Sequence, residues 1–303
     1  MPSVILDHLV LPPIRRGSFA KRFDKSANKM EDNVRDYLID PNEENIHDLR
    51  TSIRRFDSCF RLLPNGVRKK PNLLNSRASY KNLFKINSEI RDIDIICSKF
   101  AQYPQDVASN YPDFLETQRG HRDRKLREAK ELVLSIYNRK PLQIKKGILS
   151  KKKLRRRYKK VVARFVNEIE AIFPLVVSDI KRRSELHELR KDCKKLRYTL
   201  EATDTSSNEA KDVISLLEGM QDFLGTIHDC DTMLLHLARA KGGIHARISG
   251  FGNGKAADYS DLIDLEQKER VRLYYEFVSK YGNFSMQQSS NFSNKKSLPI
   301  KLQ

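Results

Sequence analysis

Tryptophan is missing from this 303-residue chain, and no segment longer than four residues alternates apolar and polar side chains with the period of a strand. The first absence removes the largest base-stacking side chain, and the second argues against a sheet. Four cysteines, Cys59, Cys97, Cys193 and Cys230, form no C-x-x-C pair, which excludes a zinc knuckle or a dithiol redox motif. Each lies within a helical apolar pattern and reads as a small buried hydrophobe. No apolar run nears the roughly 18 residues of a membrane span, and the N-terminal Met-Pro-Ser-Val-Ile-Leu-Asp stretch lacks the basic start of a signal peptide. A soluble cytoplasmic protein with no membrane partner is expected. Acids are also short: 39 Asp and Glu face 58 Lys and Arg, a formal net charge of +19. At 39% hydrophobic residues the chain can still build a core, so this is a folded basic protein whose partner is a polyanion.

Apolar residues recur at i, i+3, i+4 and i+7 over long stretches, which predicts an all-α protein. Helices are expected at about 17–38, 43–63, 72–101, 111–138, 147–171, 183–203, 208–240 and 261–281, in two groups of four. Breakers fall between them at Pro41-Asn42, Pro64-Asn65-Gly66, Tyr103-Pro104, Pro141, Pro174, Thr203–Asn208 and the glycine-rich Gly242–Gly254 segment. The polar stretch 286–303 is expected to be a disordered tail.

Two signatures recur in the same order. Ile46-His-Asp-Leu-Arg-Thr-Ser-Ile-Arg-Arg-Phe56 matches Leu186-His-Glu-Leu-Arg-Lys-Asp-Cys-Lys-Lys-Leu196 in character at an offset of 140 (187 − 47), and Ile90-Arg-Asp-Ile-Asp94 matches Ile227-His-Asp-Cys-Asp231 at 137 (231 − 94). A tandem duplication of a four-helix unit follows. At about 100° per residue, Arg50, Arg54 and Arg61 fall within about 60° of His47 on a helical wheel, opposite Leu49, Ile53, Phe56, Phe60 and Leu63. His187, Arg190 and Lys194 repeat the basic stripe, with Arg197 beside it, and Glu201 stands where the first copy has Arg61. Like charges four residues apart repel, yet Arg50 with Arg54 and Arg190 with Lys194 are two such pairs. A stripe that is unfavourable in both halves suggests a bound polyanion.

Ten bases and no acid occur between Lys145 and Lys160, and Arg119, Arg122, Arg124, Lys125 and Arg127 open another helix. Asp92, Asp94, Asp229 and Asp231 read as carboxylates that orient neighbouring bases, because a lone D-x-D on a helix points to different faces. His187, His228 and Asp229 leave room for a metal-dependent phosphohydrolase, but Arg91 stands where the second copy has His228, which fits phosphate better than metal. No cofactor and no metal are expected.

The paired H-x-L-R-x-x-x-[RK]-[RK] helices, each followed by [RH]-D-x-D, resemble the CHAD family, the conserved histidine α-helical domain. The resemblance spans 15–285, with a first four-helix unit at about 15–140 and a second at about 145–282. It implies two four-helix bundles related by a pseudo-twofold around a basic central cavity that binds inorganic polyphosphate. On that likeness His47, Arg50, Arg54 and Arg55 line the cavity with His187, Arg190, Lys194 and Lys195. Arg91, Arg119, Arg122, Lys152, Arg155, Arg156, Lys159 and Arg197 join or flank them. The E-x-E-x-K motif of the triphosphate-tunnel domain that many members carry is absent, so the likeness implies a stand-alone, noncatalytic binding module. The expected location is the cytoplasm, in association with polyphosphate granules. Polyphosphate needs charges along a groove and no base-stacking platform; with Tyr158 and Tyr198 the only aromatics amid the stripes, it ranks above nonspecific nucleic acid as the partner.

Overall fold

In the computed structural model, which describes residues 11–137, 142–203, 205, 207–248 and 259–282, the chain is all-α. Its long helices are α1 (Arg16–Ile39), α2 (Glu43–Leu62), α3 (Pro71–Phe100), α4 (Pro112–Tyr137), α5 (Lys151–Ser178), α6 (Arg183–Glu201), α7 (Asn208–Ile248) and α8 (Ser260–Tyr281). Single helical turns at Asn65–Arg68 and Gln105–Ala108 and a 3-10 turn at Lys146–Ile148 fill connections. Helix starts follow local chemistry. Asn42 Oδ1 accepts from the Asn45 amide at 2.9 Å, with Glu43 and Glu44 in the first turn suiting the positive end of α2. Ser150 caps α5 through the Lys153 amide, so that helix begins later than the expected 147.

Two expected breaks are absent. Pro174 lies inside α5, which runs on to Ser178. One proline near a helix end removes a single backbone bond, and packing holds the last turns: Phe173 meets the Phe277 ring at 6.3 Å, and Tyr274 donates to the Val176 carbonyl at 2.9 Å. Likewise α7 continues through Gly242 and Gly243 to Ile248, because a glycine costs a helix only about 1 kcal/mol. The rest of the Gly242–Gly254 segment and the tail 286–303 lie outside the described residues.

Consecutive helices pack in the series α1–α2, α2–α3, α3–α4 and again α5–α6, α6–α7, α7–α8. The halves meet where α2 touches α5 and α6 and α3 touches α7. One apolar cluster, from Phe23, Phe56 and Phe60 to Phe165, Leu189 and Phe277, runs through both halves. A smaller one joins Ile96, Phe100, Tyr111 and Phe114 to Met233, Leu237, Tyr259 and Leu262, with Tyr111 stacked on Tyr259 at 4.7 Å. Beside it Glu266, 2% exposed, pairs with Lys99 and accepts from Tyr103 Oη at 2.6 Å, while Lys99 also reaches Cys230 Sγ at 3.2 Å. Since both apolar clusters cross the boundary, the halves share one interior. Cys59, Cys193 and Cys230 are buried and Cys97 partly so, and all four are free thiols.

Candidate oxyanion-binding site

Helices α2, α3, α6 and α7 meet along one seam, and their polar faces converge there. Arg50 and Arg54 come from α2, Arg91 and Asp92 from α3, His187, Arg190 and Lys194 from α6, and His228 and Asp229 from α7. Residues far apart in sequence thus act on one another. Burial lowers the pKa of Arg50 to about 9, reinforced by Arg54, Arg91 and Arg190 and opposed by Asp92. Burial likewise lowers Lys194 to about 7, reinforced by Arg190, Arg54 and Arg50. Arg54 and Arg190 are lowered for the same first reason. Burial raises Asp92 and Asp229, and the surrounding arginines pull both back down.

Each of these bases carries its positive charge into a partly dehydrated place. Arg50, Arg54, Arg190 and Lys194 form no ion pair with any described residue. The Arg54 guanidinium lies 5.1 Å from the Phe84 ring, with that of Arg50 at 5.7 Å. The Nε atoms of Arg50 and of Arg190 are both buried and meet no acceptor among the described residues. Such donors cost free energy until an acceptor arrives. The arrangement suits a multiply charged oxyanion, whose oxygens accept several N–H bonds at once.

Around this seam the other bases are occupied. Arg91 pairs with Glu43 at 3.2 Å, Lys195 with Asp192 at 2.6 Å, and Arg197 with Glu218 at 2.8 Å and Glu201 at 3.3 Å. Arg55 stands 3.8 Å from Glu201 and is largely exposed. Arg122 donates through Nε to Asp94 at 2.6 Å and through Nη2 to the Pro41 carbonyl at 3.4 Å. Arg270 repeats that latch, with Nε to Asp231 at 2.6 Å and Nη1 to the Ile180 carbonyl at 3.3 Å. Asp94 and Asp231 are therefore orienting carboxylates, one for each half, and each latch fastens the loop ahead of a basic-stripe helix.

Other expectations fall outside the cluster. Arg119, Lys152, Arg155, Arg156 and Lys159 are exposed, and none is among the charges acting on Arg50, Arg54, Arg190 or Lys194. His47 is exposed, 3.5 Å from Thr51 Oγ1, yet it borders the cluster: burial of the ring and the charges of Arg91, Arg50 and Arg54 lower its pKa. His187 instead turns inward, its Nδ1 3.3 Å from that of His228. Burial with Arg190, His187, Lys194 and Arg50 nearby depresses His228 to about 3, so the ring is neutral at pH 7. No three His, Cys, Asp or Glu side chains among the described residues are placed to hold a metal ion, and a pair of imidazoles ringed by cations is a poor cation site. Tyr158 is 2% exposed and cannot serve as a stacking platform.

Sequence reasoning missed Phe84 and Arg270. Phe84 carries no signal, being one of many apolar residues of α3. Arg270 does have one, since it stands on the last helix of the second half as Arg122 stands on the last helix of the first.

The fold and site define an all-helical domain with a dehydrated basic seam. The family model of the CHAD domain matches residues 21–238, more than half the chain, and the protein belongs to that family. Among solved structures, PptA from Streptomyces chartreusis is similar with a TM-score of 0.57 and 14% identity, over 92% of this chain and 100% of that one. The crystal structure of the CHAD domain from the plant Ricinus communis is similar with a TM-score of 0.54 and 12% identity, over 96% of each chain. At these identities the likeness establishes the fold. No curated protein matches the chain.

Proposed function

We propose that this protein is a noncatalytic binder of inorganic polyphosphate, held along the seam by Arg50, Arg54, Arg190 and Lys194. The observation that carries the reading is the pair of buried, acceptorless Nε atoms on Arg50 and Arg190, at matching positions of the two signature helices. A linear polymer with about one negative charge per phosphate and no bases supplies acceptors to both at once. Membership of the CHAD family supports the same ligand. The matched latches, Arg122 with Asp94 and Arg270 with Asp231, support a duplicated four-helix unit, the seam lying between the two copies.

Calorimetric titration with long-chain polyphosphate tests the reading. Binding should be much tighter than to sulfate at equal ionic strength and should weaken steeply with salt as counterions are released. Affinity no better than for sulfate overturns it. Displacement of polyphosphate by duplex DNA or RNA at equal phosphate concentration would make nucleic acid the preferred ligand. A binder with no catalytic role releases no orthophosphate from the polymer when Mn²⁺ is added. The cytoplasm, at granules or away from them, is the compartment this function implies, and no described helix is long and apolar enough to cross a membrane.

A further inference from the structure

The second latch borders a cleft of about 270 Å³ lined by Ile180, Lys181, Arg183, Gln267, Arg270 and Val271. That is ample beside the roughly 10–15 Å³ one water requires by the same measure. Arg270 is the buried element of its wall: the side chain is 4% exposed, Nε and Nη1 are engaged, and Nη2 is buried with no acceptor. Lys181 and Arg183 are exposed beside it, at the start of α6, where the helix dipole already presents positive charge. Bases placed there work against the dipole, and an anion relieves the conflict. The nearby carboxylates are already shared. Asp231 takes Arg270 at 2.6 Å and Arg183 at 3.6 Å, while Asp179 and Glu185 face Arg182 at 3.8 and 3.0 Å.

The first half differs here. Its latch loop, Asp40-Pro41-Asn42-Glu43, carries two acids and no base, whereas Ile180-Lys181-Arg182-Arg183 carries three bases and no acid. At an offset of 140, Arg183 stands where Glu43 stands, and Glu43 is itself paired with Arg91. The same scaffold thus presents opposite charge in its two copies.

We propose that the cleft between the α5–α6 connection and α8 is a second oxyanion site, holding a single phosphate group against Lys181, Arg183 and Arg270. The group is either free orthophosphate or the terminal phosphate of a chain, since both offer the same tetrahedral, doubly charged face. This site is separate from the seam and does not depend on polymer binding there.

The test uses the full chain in an Arg50→Gln/Arg190→Gln background, which weakens the seam, and follows orthophosphate by ³¹P NMR and calorimetry. Saturable binding should persist in that background and fall at least tenfold when Lys181→Gln and Arg183→Gln are added. Both added positions are exposed, so circular dichroism and the melting temperature should stay unchanged. Tripolyphosphate that displaces orthophosphate assigns the site to a chain end, and failure to displace assigns it to free phosphate; either supports the proposal. No saturable binding in the background variant, or binding indifferent to Lys181 and Arg183, overturns it. Long-chain polyphosphate titrated against the Lys181→Gln/Arg183→Gln variant, with the seam intact, reports on the seam separately, so failure of one reading is distinguishable from failure of the other.

Discussion

Arg50 and Arg190, 140 residues apart (190 − 50), come together in one interior cluster, and each holds a buried Nε with no acceptor. Two donors on different helices left open in the same way define a demand for oxygen ligands that the described residues do not meet.

Replacing both residues by glutamine should therefore reduce polyphosphate affinity by at least a hundredfold and flatten its salt dependence, as measured by calorimetry at two or more salt concentrations. Arg55→Gln, at a largely exposed side chain near Glu201, should change affinity less than threefold.

Lys194 sets function against stability. An unfolded lysine titrates near ~10.4, and the folded value of about 7 means that the folded protein binds fewer protons between those limits. The cost to folding is full below about pH 7 and is relieved as pH rises toward ~10.4. Lys194→Met keeps the apolar stem and removes the charge, so the unliganded protein should gain roughly 1–3 kcal/mol at pH 7, several degrees in Tm, while binding polyphosphate at least tenfold more weakly. The stability difference should shrink at pH 10. Thermal melts at both pH values with a parallel titration check all three parts.

Polyphosphate should also bind with uptake of protons. A bound polyanion raises the pKa of every base facing it, and Lys194, at about 7 when free, gains most between pH 6 and 8. Affinity should then rise as pH falls from 9 to 6, and calorimetry in buffers of different ionisation enthalpy should show proton uptake near pH 7. In Lys194→Met most of that uptake should disappear. What remains belongs to His187 and His228, which burial and neighbouring cations keep neutral at pH 7 in the free protein.

The latches should differ in strength. Arg122→Ala leaves Asp94, 2% exposed, as an unpaired buried carboxylate and should cost roughly 3–5 kcal/mol in chemical denaturation. Arg270→Ala should cost less, because Asp231 is 19% exposed and keeps Arg183 at 3.6 Å. Adding Asp94→Asn to Arg122→Ala should restore a large part of the loss.

Much of the seam was legible in the sequence because helical periodicity is a local property. His187, Arg190 and Lys194 fall on one face through spacing alone, and the repeat at 140 marked their partners Arg50 and Arg54. His47 shows where that reasoning stops. It matches His187 in the repeat and feels Arg50 and Arg54 as His187 feels Arg190, but it is exposed, whereas His187 meets His228. The basic run from Lys151 to Lys160 shows it again, since clustered charge in sequence becomes an exposed face of α5 when its apolar stripe, Leu154, Tyr158, Val161 and Phe165, is buried. Pro174 and Gly242 mark boundaries only on local cost, and tertiary packing decides at Pro174 that the helix continues.

By itself, then, the sequence determined the all-helical class, the repeat and the polarity of each helix face, all set by residues within one or two turns of each other. Only the tertiary structure decided which of those bases are neutralised. Arg91, Arg122 and Arg197 meet Glu43, Asp94 and Glu218 across helix boundaries, and Arg50, Arg54, Arg190 and Lys194 meet no such partner among the described residues. Charge compensation depends on distance in space and on how much water the packing excludes, and neither is a property of chain order.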